Sequence, residues 1–284
     1  MKKLISVLLA MLFVGFTFTA CTSKTDDKTT KATTKVTETL APELLALNGK
    51  KVAVQSATTS DDFAKKLLAK GQVTFEIQRY KKVTQCYSDM ALGRVDAILV
   101  DQVVAAGYTD TTKIVWQNDV GEPMGICLKK GSDDLAAIVE KAIDTLYYDG
   151  TVTTIAKKYF GSDVTKGVRT VTVKPVLDLT KLKTLTNGTL KVGMEIGYPP
   201  MEMLDKDGVT KIGFDVELAG KLAALLGLNL EIVNTAWDGI FAALNKGEFD
   251  MIMSSVSITP ERQEAYILTQ PYISNKIVLA VPNN

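Results

Sequence analysis

The sequence predicts an α/β protein built from two lobes of similar build, and three observations lead to this fold class. Short apolar runs alternate with helical patterns from Leu44 onward. One helix-to-strand segment occurs twice, and polar residues concentrate directly after the predicted strands. Such alternation is typical of a mostly parallel sheet with helices on its faces.

The first observation is the alternation itself. The predicted strands are residues 51–54, 74–78, 96–100, 113–116, 125–128, 190–194, 230–233, 250–254 and 276–281. Apolar residues of 214–225 recur at helical spacing, and Gly227 is placed to end that helix. Two further helices, 133–149 and 151–160, are separated by Gly150.

The second observation is a weak internal repeat. Residues 91–99 and 243–253 share one order of features: a helix ends at a glycine, a single aspartate follows (Asp96 or Asp250), and an apolar strand begins. Convergence on a common helix-to-strand connection would give the same pattern. The repeat nevertheless favours two lobes of similar build.

Composition narrows the classes of function. The chain has 284 residues, 46% of them hydrophobic, and a net charge of +1, so it can bury a large core and offers no electrostatic reason to bind nucleic acid. It contains no histidine, which removes the commonest general base and most zinc sites. We therefore expect a binding role, with no metal and no organic cofactor.

The N-terminal residues have the pattern of a signal and a tether. Two lysines precede an apolar run, 4–18, that is too short to be a permanent membrane span, and small residues then lead to Cys21. This resembles a lipoprotein signal peptide, 1–20, followed by a flexible polar tether, 21–43, anchored to the membrane through lipidated Cys21. An ordinary secretory signal with an incidental cysteine is the alternative.

Two cysteines remain beyond the tether, Cys86 and Cys127. Both lie in apolar periodic segments, and neither has metal-ligand spacing. Buried free thiols are the interpretation we favour, although two cysteines could also pair after export.

The third observation is the placement of polar and aromatic residues. In open α/β sheets, ligands bind beyond the carboxyl ends of the strands. The residues at these positions are Ser56, Thr58, Thr59, Asp101, Glu195, Tyr198, Trp237, Ser255 and Ser257. Each alone is a weak signal, because Ser and Thr often cap helices and aromatic residues often pack in cores. Their common placement predicts a ligand-binding crevice.

Arg262 has an unusual place in its predicted helix. Thr259 is the expected N-cap and Pro260 the first helical residue, so Arg262 lies at the positive end of the helix dipole. Either its side chain curls into solvent or its planar guanidinium binds an anion. Thr58 and Thr59 open another helix, whose first N–H groups could also bind a carboxylate.

Longer motifs resemble a known family. KVGMEIGYPPME (191–202), GFDVEL (213–218), WDGI (237–240) and SSVSITPER (254–262) are similar to the first lobe of polar amino-acid-binding proteins of ABC transporters, the bacterial extracellular solute-binding proteins of family 3. Residues 47–55, 58–60 and 93–97, together with Asp101, are similar to the second lobe of that family. The resemblance implies a two-lobed, periplasmic-binding-protein-like (type II) fold that closes around an amino acid without catalysis. Ala57 stands where the family commonly has glycine.

The resemblance also implies roles for residues in the crevice. Arg262 would bind the α-carboxylate of the ligand, helped by Ser257 and by Thr59 from the opposite lobe. Asp101 would bind the α-ammonium, and Ser255 would contribute through its backbone. One fixed cation, one fixed anion and neutral donors suit a zwitterion.

The far end of the ligand would meet a further group of residues. The side chain would lie among Tyr198, Trp237 and either Gln55 or Ser56. Glu195 occupies a position that is acidic in lysine- and arginine-type binders, which favours a cationic ligand. The alternative is that Glu195 pairs with Lys191 or Lys211 of its own lobe and only shapes the rim.

The two sets of motifs occur in reverse order relative to the family. Residues 44–123 resemble the second lobe, and 124–284 resemble the first lobe with its hinge strands, so that 161–189 would join the family's usual C-terminus to its N-terminus. A circular permutation or a fragment of a tandem array would explain this order. We expect a single covalent crossover between the lobes near 121–128, with 276–284 completing the hinge as a non-covalently paired strand.

The resemblance therefore implies a monomeric, lipid-anchored, extracytoplasmic protein that delivers an amino acid to an ABC transporter permease. Two other classes of function stay open. One is the binding module of a signalling receptor, and the other is a dehydratase that uses a crevice carboxylic acid, for which Glu195 would be the candidate.

Overall fold

The computed structural model describes residues 40–283 of the chain. The predicted signal peptide, most of the tether and Cys21 lie outside these residues. The tether prediction runs slightly too far, because Leu40 and Ala41 pack against a hydrophobic cluster and the first helix begins at Pro42.

The described residues form two five-stranded sheets and two short two-stranded ones. The strands are β1 (Lys51–Gln55), β2 (Glu76–Tyr80), β3 (Ala97–Asp101), β4 (Thr112–Gln117), β5 (Glu122–Met124), β6 (Cys127–Leu128), β7 (Thr189–Met194), β8 (Met203–Leu204), β9 (Lys211–Ile212), β10 (Asn229–Asn234), β11 (Met251–Ile252), β12 (Ile267–Leu268), β13 (Ile273–Asn275) and β14 (Ile277–Pro282). The helices are α1 (Pro42–Leu45), α2 (Thr59–Ala69), α3 (Val83–Ala91), α4 (Gln102–Ala105), α5 (Asp133–Tyr148), α6 (Thr151–Phe160), α7 (Phe214–Leu225), α8 (Trp237–Lys246) and α9 (Pro260–Ala265), and a 3₁₀ turn spans Ala106–Tyr108.

The two large sheets have the same architecture. The first has the order β2-β1-β3-β14-β4, and the second has the order β10-β7-β11-β6-β12. In each sheet the first three strands are parallel, and the last two run antiparallel to their neighbours. The predicted two-lobed α/β fold is therefore confirmed.

The internal repeat corresponds to a repeated contact. The Asp96 carboxylate accepts a hydrogen bond from the backbone N–H of Lys51 at 2.8 Å, and the Asp250 carboxylate accepts one from Lys191, also at 2.8 Å. Each aspartate thus fixes the start of the neighbouring parallel strand in its own sheet. A shared connection of this kind accounts for the similar sequences.

Most predicted strands are found with small shifts of their ends. The segment predicted at 74–78 is displaced to β2, because the N–H of Thr74 donates to the side chain of Asn48 instead of to a neighbouring strand. Residues 250–254 contribute only the two-residue strand β11, after which the chain turns toward the crevice. Asp101 ends β3 rather than following it.

The hinge differs from the prediction of a single covalent crossover. The chain crosses between the sheets through β5, and it crosses back through β13, which pairs antiparallel with β5. The strand β14 then enters the first sheet between β3 and β4. Two covalent segments therefore join the lobes, and the predicted C-terminal strand belongs to a sheet core rather than to the hinge alone.

The segment between α6 and β7 follows the surface of the second lobe and is fixed to it. Arg169 is the main anchor: its guanidinium donates to the carbonyl oxygens of Pro271 and Gln270 and forms ion pairs with Glu140 and Asp144. Leu177 and Leu182 pack against the core. This connection therefore closes the second lobe without regular secondary structure.

The cysteines outside the tether are free and buried, as expected. Cys86 packs in the largest hydrophobic cluster and Cys127 in a smaller one beside α8. Burial raises the pKa of each thiol to about 12, which keeps both in the unreactive thiol form. Within residues 40–283, no helix has the length and apolar character needed to cross a membrane.

Candidate functional site

A crevice lies where the carboxyl ends of β1, β3, β7 and β11 face one another. About 330 Å³ of space in this crevice, part of it open to solvent, is not filled by protein atoms. Its lining comprises Gln55, Thr58, Thr59, Asp101, Glu195, Tyr198, Glu202, Trp237, Ser254, Ser255, Ser257 and Arg262. All ten residues assigned to ligand binding are among these twelve, and Glu202 and Ser254 are two that the sequence reasoning did not assign.

The end of β1 and the loop after it supply residues of the first lobe that line the crevice. Ala57 adopts a left-handed conformation with φ of 61°, a region that glycine enters without the steric cost of a Cβ. Thr58 is the N-cap of α2, and its hydroxyl accepts a hydrogen bond from the N–H of Asp61 at 3.3 Å. Gln55 lines the crevice, whereas Ser56 does not.

Arg262 projects from the first turn of α9 into the crevice rather than into solvent. The helix start is as predicted, with Thr259 as N-cap and Pro260 following it. The guanidinium donates to the carbonyl oxygen of Ser257 at 2.9 Å and lies over the rings of Trp237 and Phe241, at 5.4 and 5.2 Å from their centroids. These contacts fix the orientation of a cation that can still bind an anion.

Asp101 supplies a buried carboxyl group on the opposite lobe. Its side chain accepts a 2.6 Å hydrogen bond from the Tyr198 hydroxyl. Burial, with a smaller contribution from nearby Glu122, raises the pKa of Asp101 to about 8. A cation placed beside it would lower this pKa, so the site favours an ammonium group.

Glu195 directly follows β7 and is 4% exposed. Its carboxylate accepts hydrogen bonds from Nε2 of Gln55 at 2.6 Å and from the N–H of Trp237 at 3.3 Å. Burial raises its pKa, although these two hydrogen bonds and the charge of Lys82 oppose the shift. Glu195 therefore has neutral donors but no direct ion pair among the described residues.

The alternative pairing of Glu195 with a lysine of its own lobe is wrong. Lys191 forms its ion pair with Glu231 at 3.4 Å, and Lys211 donates to the carbonyl oxygen of Ile232. Neither lysine is among the residues that line the crevice. The carboxyl group of Glu195 is therefore directed at the crevice rather than at the rim.

Ser254 and Ser255 lie where the chain bends after β11, at the base of the crevice. Ser255 has a φ of 52°, and its hydroxyl is buried without a hydrogen-bond partner among residues 40–283. The hydroxyl of Ser254 accepts from the N–H of Glu195 and donates to the carboxyl group of Glu202. Glu202 could have been suspected from the sequence, because it is an acid between apolar residues (PPMEML) of a predicted lobe core.

Hydrogen bonds cross the crevice at three points. Gln55 of the first lobe reaches Glu195, Tyr198 reaches Asp101, and Nε1 of Trp237 donates to the carbonyl oxygen of Ala57 at 3.0 Å. The indole ring thus contacts both Arg262 and the opposite lobe. No group of acidic or cysteine side chains between residues 40 and 283 has the arrangement of a metal site.

The two-lobed α/β fold with a crevice between its two large sheets is that of the periplasmic-binding-protein-like class. Residues 190–284 match the family described as bacterial extracellular solute-binding proteins, family 3. The matched residues cover about a third of the chain and include Glu195, Trp237 and Arg262 of the crevice.

Individual relatives match part of the chain. A probable amino-acid ABC transporter-binding protein of Haemophilus influenzae is 44% identical over 84 residues, which are 30% of this chain and 32% of the relative. The L-cystine-binding protein TcyJ of Escherichia coli is 33% identical over 124 residues, or 42% and 45% of the two chains. This chain thus spans less than half the length of these curated relatives. The arginine-bound form of domain 1 from TmArgBP is 33% identical over 34% of this chain and 81% of its own, with a TM-score of 0.30.

Proposed function

We propose that this protein captures an amino acid with a cationic side chain by closing its two lobes, and delivers it to an ABC permease without changing it chemically. The observation that carries the proposal is the charge pattern of one crevice. Arg262, Asp101 and Glu195 line the same enclosed space, with hydroxyl groups between them.

The first two charges suit the α-carbon end of the ligand. Arg262 is oriented by Ser257 and by two aromatic rings, so its fork is prepared for a carboxylate. Asp101 lies on the opposite lobe and would pair with the α-ammonium. Because the two charges come from different lobes, a zwitterion is bound fully only in the closed form.

The third charge concerns the ligand side chain. Glu195 is buried and lacks a direct ion pair, and the amide oxygen of Gln55 beside it is a buried acceptor without a partner among the described residues. Both groups would be satisfied by hydrogen-bond donors on a cation. An anionic side chain would instead face Glu195, which is costly in a desolvated site.

A thermal-shift screen tests the proposed ligand class. The standard amino acids, ornithine and cystine are compared, and lysine, arginine or ornithine is expected to raise the melting temperature most. Glutamate or aspartate giving the largest shift would refute the cationic assignment. If cystine gave the largest shift, the capture of an amino acid would still be supported, but the proposed binding of a cationic side chain by Glu195 would be refuted.

A matched pair of variants then isolates Glu195. Glu195→Gln should weaken lysine or arginine binding by about 1.5–3 kcal/mol, since a hydrogen bond to a charged group is lost, and should change glutamine binding much less. Glu248→Gln removes an exposed acid of the same lobe and should leave all affinities unchanged. Equal effects of the two variants would show that Glu195 does not contact the ligand.

Location and partner belong to the same proposal. The proposed anchor is lipidated Cys21, which would hold a monomeric binding protein at the outer face of the membrane, near the permease. Metabolic labelling with a fatty acid tests the anchor, and Cys21→Ser should abolish the label and release the protein. Uptake of labelled lysine or arginine by cells with and without the protein tests delivery.

A dehydratase is the competing function, because burial raises the pKa of Glu195 and could keep it as an acid. Incubation with the bound amino acid, followed by mass spectrometry of the released ligand, decides between the two. Quantitative recovery of intact amino acid supports binding alone. Loss of water from the ligand would replace the binding proposal by an enzymatic one.

The reversed order of motifs supports a circularly permuted arrangement. The backbone N–H of Asn283 donates a hydrogen bond to the carbonyl oxygen of Thr111, directly before β4. Helix α1 also contacts β4. The two ends of the described segment therefore lie against the same strand. A reordered chain, with 190–283 preceding 44–160, should fold and bind the same amino acid. A reordered chain that folds but does not bind would contradict the permutation.

A further inference from the structure

Two carboxyl groups, Glu202 and Asp215, are fully buried behind the crevice. Glu202 precedes β8, and Asp215 lies in the first turn of α7. The backbone holds these segments together, because the N–H of Asp215 donates to the carbonyl oxygen of Met201 at 2.9 Å. Gly213 permits this approach, since a Cβ there would lie 2.2 Å from the same carbonyl oxygen.

Each carboxyl group is hydrogen-bonded through one oxygen only. Oε1 of Glu202 accepts from the hydroxyl of Ser254. Oδ2 of Asp215 accepts from the N–H of Ser255 and from the hydroxyl of Tyr272, both at 3.0 Å. The remaining oxygens, Oε2 of Glu202 and Oδ1 of Asp215, are buried, and no donor of residues 40–283 reaches them.

No cation compensates the pair among the described residues. The titratable groups that face it from other elements are the acid Glu195 after β7, and the phenols Tyr198 and Tyr272. Two adjacent buried carboxylates without a compensating cation would be strongly unfavourable. A single proton between the two unpartnered oxygens removes the repulsion and satisfies both.

We infer that Glu202 and Asp215 share one proton at neutral pH, and that the protonated pair positions the Ser254–Ser255 bend beneath the ligand. The proton is carried by Glu202 and donated to Asp215, which then accepts three hydrogen bonds and keeps the negative charge. Burial and the charge of Asp215 raise the pKa of Glu202 well above its usual value, whereas hydrogen bonds from Ser255, Tyr272 and Glu202 oppose the rise that burial causes in the pKa of Asp215.

The pair acts on the site through the two serines. Ser255 is held in its left-handed conformation while its N–H is bonded to Asp215. Ser254 links Glu202 to the backbone of Glu195, at 3.0 Å. Loss of the shared proton would force the carboxyl groups apart and displace both serines, so binding would weaken at alkaline pH.

The first test detects the proton without any ligand. Infrared spectra near neutral pH should contain a carbonyl band of a protonated carboxylic acid, and Glu202→Gln should remove part of it. Asp215→Asn should remove the same part, because Glu202 then ionises beside an amide donor. Glu248→Gln is the control and should not change the band. Asp101 is also protonated near neutral pH, so Asp101→Asn identifies the part of the band that comes from Asp101.

The second test measures stability as a function of pH. A carboxyl group that binds its proton more tightly when folded loses its contribution as the pH rises from its unfolded pKa through its folded pKa. For one proton the ratio of folded to unfolded protein falls by up to about tenfold per pH unit in that interval. Glu202→Gln should flatten this decline, since an amide donor replaces the proton permanently.

The third test concerns positioning and rests on the proposed function. Lysine or arginine affinity should fall more steeply at alkaline pH in the original protein than in Glu202→Gln, and be low at every pH in Glu202→Ala, because the ionisation of Asp101 and of the ligand ammonium is common to all three. An infrared band unchanged in both Glu202→Gln and Asp215→Asn would overturn the shared proton. Absence of binding to every amino acid, with the band changes intact, would reject the proposed function instead.

Discussion

The hydroxyl of Tyr198 lies 2.6 Å from Oδ2 of Asp101 and donates a hydrogen bond to it across the crevice. The two residues belong to different lobes, so the proposed partner of the ligand ammonium is held from the opposite side. Two other hydrogen bonds also join the lobes across the crevice. One runs from Gln55 to Glu195, and the other from Trp237 to Ala57. In the proposed function, lobe closure and ligand recognition therefore depend on the same side chains.

Arg262→Ala and Asp101→Ala should each weaken amino-acid binding by about 2–5 kcal/mol, because a buried charge of the ligand loses its partner. Isothermal titration calorimetry measures the change. Arg94→Ala is the matched control, since Arg94 is an exposed cation paired with Asp89 on the surface of the first lobe. Either crevice variant binding as tightly as Arg94→Ala would show that its residue has been given the wrong role.

Arg262→Lys should weaken binding nearly as much as Arg262→Ala. A lysine ammonium keeps the charge, but it lacks the planar fork that bonds to Ser257 and lies over the rings of Trp237 and Phe241. Calorimetry of the two variants with the same ligand separates the contribution of the positive charge from that of the planar guanidinium geometry. Full affinity in the lysine variant would mean that charge alone suffices.

Binding should release a proton from Asp101 near neutral pH. Its pKa of about 8 means that the carboxyl group is largely protonated before a ligand arrives, and an ammonium beside it lowers the pKa. The affinity should therefore rise with pH, by up to about tenfold per unit below that pKa. Titrations in two buffers of different ionisation enthalpy give the number of protons, and Asp101→Asn should abolish this release.

Ligand should contract the whole molecule. The lobes are joined by two chain crossings, the paired strands β5 and β13, and the proposed contacts come from both lobes. Small-angle scattering should therefore record a smaller radius of gyration when lysine or arginine is added. Asp101→Ala at the same ligand concentration is the control and should remain expanded; an unchanged radius in the original protein would argue against hinge closure.

Gly213→Ala should destabilise the second lobe by about 2–4 kcal/mol. Gly213 has a φ of 135°, and an added Cβ would lie 2.2 Å from the carbonyl oxygen of Met201, so the backbone must move. Gly220→Ala, in the interior of α7 where nothing lies within 4 Å, should instead stabilise by about 0.5–1 kcal/mol. Urea unfolding of both variants measures the contrast, and equal stabilities would show that Gly213 has no special role.

The residues of the crevice could be predicted because one rule of α/β architecture places them. Glu195 and Ser255 follow parallel strands, and the helix signal Thr259-Pro260 fixed the position of Arg262. Ala57 makes the left-handed turn of the loop that follows β1. Local sequence was sufficient at each of these positions.

The parts that sequence did not predict depend on contacts between distant segments. The second crossing through β13 requires knowing that β14 pairs with β3 and β4, and pairing between distant strands has no local signal. Glu202 and Asp215 meet only because α7 begins against the carbonyl oxygens that precede β8. The sequence contains both acidic residues, but it gives no local signal that the two lie close together in the fold.

The place of β14 has a consequence for synthesis on the ribosome. This strand lies between β3 and β4, yet the whole of the second lobe separates it from β4 in the sequence. While the chain is being made, β3 and β4 lack the strand that joins them, and the apolar faces around Leu99 and Trp116 lack their partner Leu279. We expect the second lobe to complete its sheet first, and the nascent first lobe to need protection from aggregation until Ile277–Pro282 has emerged.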